Sequence, residues 1–189
     1  MAARTQTPPP PTEEYLKPIV FEDVRITFLN FSGEAGRFNA KGDRNFNLLL
    51  DDDIATQMLA DGFNVRYLQP RVEGDLPQPT IEVKVKYKKR DGTRTRPPKV
   101  VLITSRGKTN LDEDMVSVLD YAQIKNVDLI INPRRWEVSG RRGISAYLKS
   151  IYVTIVEDPL EMKYIDVPDS AVNTIGHNGR HEEEEEVPA

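Results

Sequence analysis

The stretch Ile81-Glu82-Val83-Lys84-Val85-Lys86-Tyr87-Lys88 alternates apolar and polar residues without a break. Side chains of a strand point alternately to its two faces, so this period of two marks a half-buried β-strand. One face is apolar and the other is mainly basic. Downstream, Asp91-Gly92 marks a turn and residues 100–103 a returning strand, with 94–98 delaying the return. Upstream, residues 24–28 alternate in the same way, 44–50 form a second strand, and 63–68 a third that Pro70 stops. Phe28 and Phe46 are in phase with their aliphatic neighbours and are expected in the core. Asp51, Asp52 and Asp53 precede Ile54, Met58 and Leu59, and Asp61-Gly62 follows. Acids in front of an apolar stripe and glycine behind it describe a short capped helix.

The C-terminal half reads less evenly. A loop through Gly107 leads to a short helix within 111–126. Strand pieces at 127–131 and 136–138 flank Asn132-Pro133, residues 140–143 turn the chain, and 144–156 form a long last strand. Six or seven strands with one or two short helices predict an all-β fold with minor α content, built as a small antiparallel barrel. Residues 1–17, with four consecutive prolines from Pro8 to Pro11, read as an extended arm, with structure beginning near Ile19. Residues 18–158 make the folded domain, and 159–189, which include Glu182 to Glu186, a disordered acidic tail.

Charge is sorted along this plan. Residues 84–108 carry ten lysines and arginines against Asp91 alone, and residues 157–189 carry ten acids against Lys163 and Arg180. The formal net charge of −4 thus combines a basic body with an acidic end. A basic body attracts polyanions, and an acidic end can compete for the same surface. The chain has no cysteine, and both histidines, His177 and His181, lie in the polar end. A disulfide framework, a thiolate nucleophile and a histidine base in the body are excluded. With no apolar run near the ~20 residues that span a bilayer, a soluble, cytoplasmic protein is expected.

Lys84, Lys86 and Lys88 repeat along one strand face at roughly 6.6 Å, a spacing suited to phosphates. Arg90, Arg94 and Arg96 extend the row. Lysines also protect edge strands from aggregation, but the loop cations exceed what that needs. Single-stranded nucleic acid further requires rings on which bases stack. Phe31, Phe38, Tyr87, Trp136 and Tyr147 lie near cations or on polar faces. Tyr87 shares its phase with Val83 and Val85, so it fits the core equally well. Trp136, among Arg134, Arg135, Arg141 and Arg142, is the best candidate.

Enzymatic readings are weaker. Gly107-Lys108-Thr109 imitates the end of a phosphate-binding loop, but Leu102 stands where its first glycine belongs. Asp51 to Asp53 would suit Mg²⁺, yet they are more simply helix capping. Asp75 with Glu82 and Lys84 matches the loose acid and Glu-x-Lys pattern of metal-dependent nucleases. A third alternative is an interaction module gripping an acidic protein partner.

From Phe21 to Val156 the chain resembles single-stranded-DNA-binding proteins of tailed bacteriophages. The resemblance rests on ordered motifs: Asn30-Phe31-Ser32-Gly33, Gly42-Asp43-Arg44-Asn45-Phe46, Asp61-Gly62-Phe63-Asn64-Val65-Arg66, and Leu119-Asp120-Tyr121-Ala122. Ile131-Asn132-Pro133-Arg134-Arg135-Trp136-Glu137-Val138 and Gly143-Ile144-Ser145-Ala146-Tyr147-Leu148-Lys149 complete it. It implies an OB-fold-like five-stranded barrel with an extended β-hairpin that coats single strands in replication, recombination and repair, without catalysis or cofactor. It also implies phage or host replication proteins as partners of the acidic tail. The familiar bacterial form ends in an aromatic residue; here Val187-Pro188-Ala189 stand last, so any docking would rest on charge. The expected DNA contacts are Phe31, Arg44, Lys84, Lys86, Tyr87, Lys88, Arg94, Arg96, Arg134, Arg135, Trp136, Arg142, Tyr147 and Lys149.

Overall fold

The computed structural model describes residues 14–89, 91–164 and 166. The expected proline-rich arm up to residue 13, Arg90, and the acidic tail beyond 166 lie outside the described residues. The chain divides into two units, Met1–Val156 and Glu157–Ala189. Within the second, a short helix α2 (Pro159–Lys163) is capped by the Asp158 carboxylate, which accepts from the Leu160 amide at 2.7 Å.

The first unit is mostly β, as expected, with more strands than the periodicity suggested. They are β1 (Glu14–Tyr15), β2 (Ile19–Val24), β3 (Ile26–Asn30), β4 (Arg44–Leu49), β5 (Arg66–Leu68), β6 (Gln78–Val85), β7 (Lys99–Thr104), β8 (Gly107–Leu111), β9 (Ile124–Val138) and β10 (Arg141–Ile155). Helix α1 (Asp52–Asp61) and a 3-10 turn (Val116–Asp120) complete it. All ten strands join one sheet, whose main path runs β1-β9-β10-β6-β4-β3. The sheet doubles back at residues 19–30, where β2 pairs with β9 and β3, one residue later, pairs with β4. It is also mixed: β10 runs antiparallel to β9 but parallel to both β6 and β7.

Four expectations need correction. Pairing begins at Glu14, inside the segment read as an arm, because β1 adds to β9 opposite Arg134 and Arg135. The expected helix in 111–126 is instead the end of β8, the 3-10 turn and the start of β9. β9 also does not break at Pro133. The Pro133 carbonyl accepts from the Leu16 amide at 3.2 Å, so its missing N–H faces the same edge, in the gap between β1 and β2. Opposite Leu16 the proline leaves one bond where a regular antiparallel pair makes two, and β1 ends at Tyr15. Finally, the chain turns at Ser139-Gly140, two residues with positive φ (51° and 75°), and β10 begins at Arg141. Two such residues suit the tight primed turn that joins twisted strands directly.

Phase explains the core. Val127, Leu129, Ile131 and Pro133 of β9 point inward and are buried with Ile144, Ala146, Leu148, Ile151 and Val153 of β10. The inward phase of β10 changes parity between Leu148 and Ile151 because Lys149 is an extra residue, a bulge in the ladder. Lys149 itself is exposed. Phe46 and Leu48 of β4 and Ile81, Val83 and Val85 of β6 complete the interior. Phe28, expected there, is 61% exposed. A bulge between Thr27 and Asn30 and a φ of +50° turn its ring out of the alternation. In α1 the buried side chains are Ala55 and Met58, whereas Ile54 and Leu59 are exposed. Gly62 ends α1 at φ +104°, its amide donating to the Leu59 carbonyl.

Candidate nucleic-acid interface

The outward phase of the central strands builds one continuous surface. On β9 it shows Asn132, Arg134 and Trp136; on β10, Gly143, Ser145 and Tyr147; on β6, Lys84; on β4, Asn45. The register sets these side by side: Tyr15 opposite Arg134, Arg134 opposite Ser145, Tyr147 opposite Asn132 and Lys84, and Lys84 opposite Asn45.

Aromatic rings and cations interleave on this surface. The Arg134 guanidinium lies 4.7 Å from the ring centres of both Tyr15 and Tyr147. The Lys84 ammonium lies 5.9 Å from the Tyr147 ring centre. Ring faces attract cations through their quadrupole, so these contacts orient the rings as well as the charges. Trp136 sits opposite Gly143, and a Cβ added at Gly143 would stand 2.9 Å from Trp136 Cζ2 and 3.2 Å from Cε2. The indole therefore lies across the Gly143 backbone, in the space that the missing side chain leaves. It is half-buried.

The other expected contacts divide. Arg135 and Arg142 are exposed at the end of the β9–β10 ribbon, but their register opposite Ile144 and Glu137 puts them on the other face from Trp136. Arg94 and Arg96 are exposed in the loop before β7. The lysine row is shorter than the sequence suggested, since β6 ends at Val85. The Lys86 ammonium lies 3.0 Å from an Asp43 carboxylate oxygen, and that of Lys88 lies 3.6 Å from Glu113. Such partly exposed pairs hold weakly, so a polyanion can compete for both lysines.

Phe31, Arg44 and Tyr87 are corrections. Phe31 is fully buried and stacks on Phe46 at 5.4 Å between ring centres, so it offers no face to a base. Arg44 is consumed internally. Its Nε donates to the Phe31 carbonyl at 2.8 Å, one terminal nitrogen meets Glu113 at 3.1 Å, and the guanidinium lies over the Tyr87 ring. Tyr87 is buried, and burial pushes its hydroxyl up to about 12 although Arg44 pulls the other way. The motif around Phe31 is a loop clip. Asp120 accepts from the amides of Phe31 (2.7 Å) and Ser32 (2.9 Å), and Asn30 Oδ1 accepts from that of Gly33 (3.1 Å). Gly33 has φ +72°, and a Cβ there would press on Arg44 Cγ at 3.0 Å.

Sequence reasoning missed Tyr15 and named Arg141 only as a neighbour of Trp136, not among the expected contacts. Arg141 pairs with Val138 on the Trp136 face and is exposed. No periodicity marks a two-residue strand, and only the register brings Tyr15, 69% exposed, beside Arg134. Glu82 accepts from Asn45 Nδ2 at 3.0 Å, and among the described residues no group of three or more His, Asp or Glu could hold a metal ion. Among them, too, no helix is long and apolar enough to cross a membrane.

A family model described as "Putative phage ssDNA-binding domain" matches residues 11–186. The chain belongs to this phage ssDNA-binding domain family. No curated protein matches it in sequence. Solved structures similar to it include the single-stranded DNA-binding protein from bacteriophage Enc34, at 15% identity and a TM-score of 0.48, with 83% of this chain and 87% of that one covered. The same Enc34 protein in complex with ssDNA is 13% identical over 75% of this chain and 88% of that one, with a TM-score of 0.45. Gp2.5, a single-stranded DNA-binding protein encoded by bacteriophage T7, is 10% identical over 86% and 97%, with a TM-score of 0.38.

Proposed function

We propose that this protein coats single-stranded DNA without sequence preference during phage DNA replication, recombination and repair, in the cytoplasm of the host. Membership of the phage ssDNA-binding domain family supports the choice of ligand. The observation that carries the mechanism is the open sheet face where Trp136, laid across Gly143, neighbours Arg134, Tyr147 and Lys84. Every base has a π-face, so rings held in fixed positions accept any sequence, while nearby cations take the backbone phosphates. Bases stack on Trp136, Tyr147 and Tyr15; Lys84, Arg134 and Arg141 serve the phosphates of that track, with Lys86, Lys88, Arg94, Arg96, Arg135, Arg142 and Lys149 around it.

Trp136 is the only tryptophan, so its fluorescence reports the first of these contacts directly. Adding oligo-dT should quench it, and duplex DNA of the same length should do so far more weakly. Binding should also weaken steeply with salt. Each phosphate neutralised contributes ~0.7 to the slope of log affinity against log salt, so about four phosphates cost about 50-fold between 50 and 200 mM. Equal affinity for single-stranded and duplex DNA would sink the proposal.

The acidic end is the second part of the reading. Residues 157–189 carry ten acids against two basic residues, a charge pattern that imitates a polyanion. It competes for the basic face when DNA is scarce and is offered to replication proteins when DNA displaces it. A chain ending near Asp158 should therefore bind oligo-dT more tightly than the full chain, most visibly at low salt. A truncated chain that binds no better rules the competition out.

A further inference from the structure

Half of the basic run in 84–108 is not used by the face around Trp136. Lys99, Arg106 and Lys108 all lie on the β7–β8 hairpin and are exposed. β7 runs along the same edge of β10 as β6, one after the other, both parallel to it. β10 thus carries two successive couples of the same kind. Tyr147 lies under Lys84 of β6, and Tyr152 under Lys99 of β7, with the Lys99 ammonium 5.5 Å from the Tyr152 ring centre.

The bulge at Lys149 is what makes the couples line up. Tyr147 and Tyr152 are five residues apart, an odd number, so in a regular strand they would face opposite ways. The extra residue restores the phase, and both tyrosines lie opposite the buried row of Ile144, Ala146, Leu148, Ile151 and Val153. Their separation along the strand is about 15 Å. Lys149, exposed in the bulge, stands between them.

We infer that Tyr152 and Lys99 form a second base-stacking station, at which a single strand bound on Trp136 and Tyr147 continues along β10 toward Arg106 and Lys108. The inference rests on the single-strand reading given above and extends it to a length: the track spans both couples. One acid faces the station from the neighbouring strand. Asp128 pairs with Tyr152 in register, and its Oδ1 already accepts from the Asp23 amide at 2.8 Å.

The test is a titration of the full-length Tyr152→Ala protein with oligo-dT from about 4 to about 16 nucleotides, the span of site sizes seen for such folds. Tyr152→Phe keeps the ring, and a thermal melt of each variant shows that it folds. Tyr152→Ala should bind the longest oligonucleotides about five- to tenfold more weakly, as expected for one lost stacking contact, and the shortest about as well as the parent. The length at which affinity stops rising should fall, the Trp136 quench at saturation should persist, and Tyr152→Phe should behave as the parent. Unchanged affinity at every length, or an equal loss at every length, overturns the second station. Failure of the underlying reading looks different: the parent protein itself would neither quench with oligo-dT nor prefer it to duplex, and the station would fall with it.

Discussion

Trp136→Ala should weaken binding of labelled oligo-dT by about ten- to a hundredfold at constant salt, read by fluorescence anisotropy. A base stacked on an aromatic ring contributes roughly 1–3 kcal/mol, which corresponds to this range of affinities. The upper half is expected here because the indole is positioned before DNA arrives. It lies over Gly143 in a space that any other residue would fill. A ring already held loses less conformational freedom on binding than one that must be ordered. Gly143→Val provides the complementary variant. Its Cβ would stand 2.9 Å from Cζ2, so the ring must lift off the ribbon while the tryptophan stays in the chain. Affinity should fall by less than in Trp136→Ala, and the saturating quench should change. Both substitutions lie where β9 and β10 pair beyond the main core, so the melting temperature should move little. Unchanged affinity in Trp136→Ala would remove the indole from the DNA track.

How much of this was legible depended on how local the signal was. The strand from Ile81, the helix that Gly62 ends and the excess of cations in 84–108 all follow from periodicity or counting, although the strand stops at Val85 and the Asp51 side chain makes no cap bond. Features set by partners across the sheet did not show. Phe28 reads as core by phase, but a residue with positive φ breaks the alternation, and nothing in the local sequence announces it. Pro133 reads as a strand breaker, yet the position of its missing donor depends on where β1 and β2 pair. The lysine row 84, 86, 88 was visible as charge, whereas Asp43 and Glu113, which take up two of the three, come from distant loops. Trp136 was singled out by its arginine neighbours. Its actual support, Gly143, is seven residues away and becomes adjacent only through the hairpin register.

Phe31 carries the sharpest conflict between the two kinds of reading, and Phe31→Ala should separate them. Placed beside a glycine loop and a polar face, it was expected to stack on bases; the structure seals it against Phe46. Removing a fully buried phenylalanine costs about 3–5 kcal/mol, from lost transfer energy plus the cavity left behind. Here the cavity cannot close easily. The backbone on either side is held by Asp120 at the Phe31 and Ser32 amides and by Arg44 Nε at the Phe31 carbonyl. Collapse into the space would break those bonds, so the upper part of the range is expected in a urea titration. DNA affinity per folded molecule should stay within about twofold, because the ring touches neither the Trp136 face nor its cations. A stability loss under about 1 kcal/mol with a tenfold loss of affinity would return Phe31 to the binding surface. Since Phe31 belongs to the Asn30-Phe31-Ser32-Gly33 motif that carries the resemblance to phage single-strand binders, the outcome also bears on what that motif is for. With Asn30 bonding the loop, Gly33 making room for Arg44, and Phe31 filling the core, it fixes the loop at 31–43 beside the sheet.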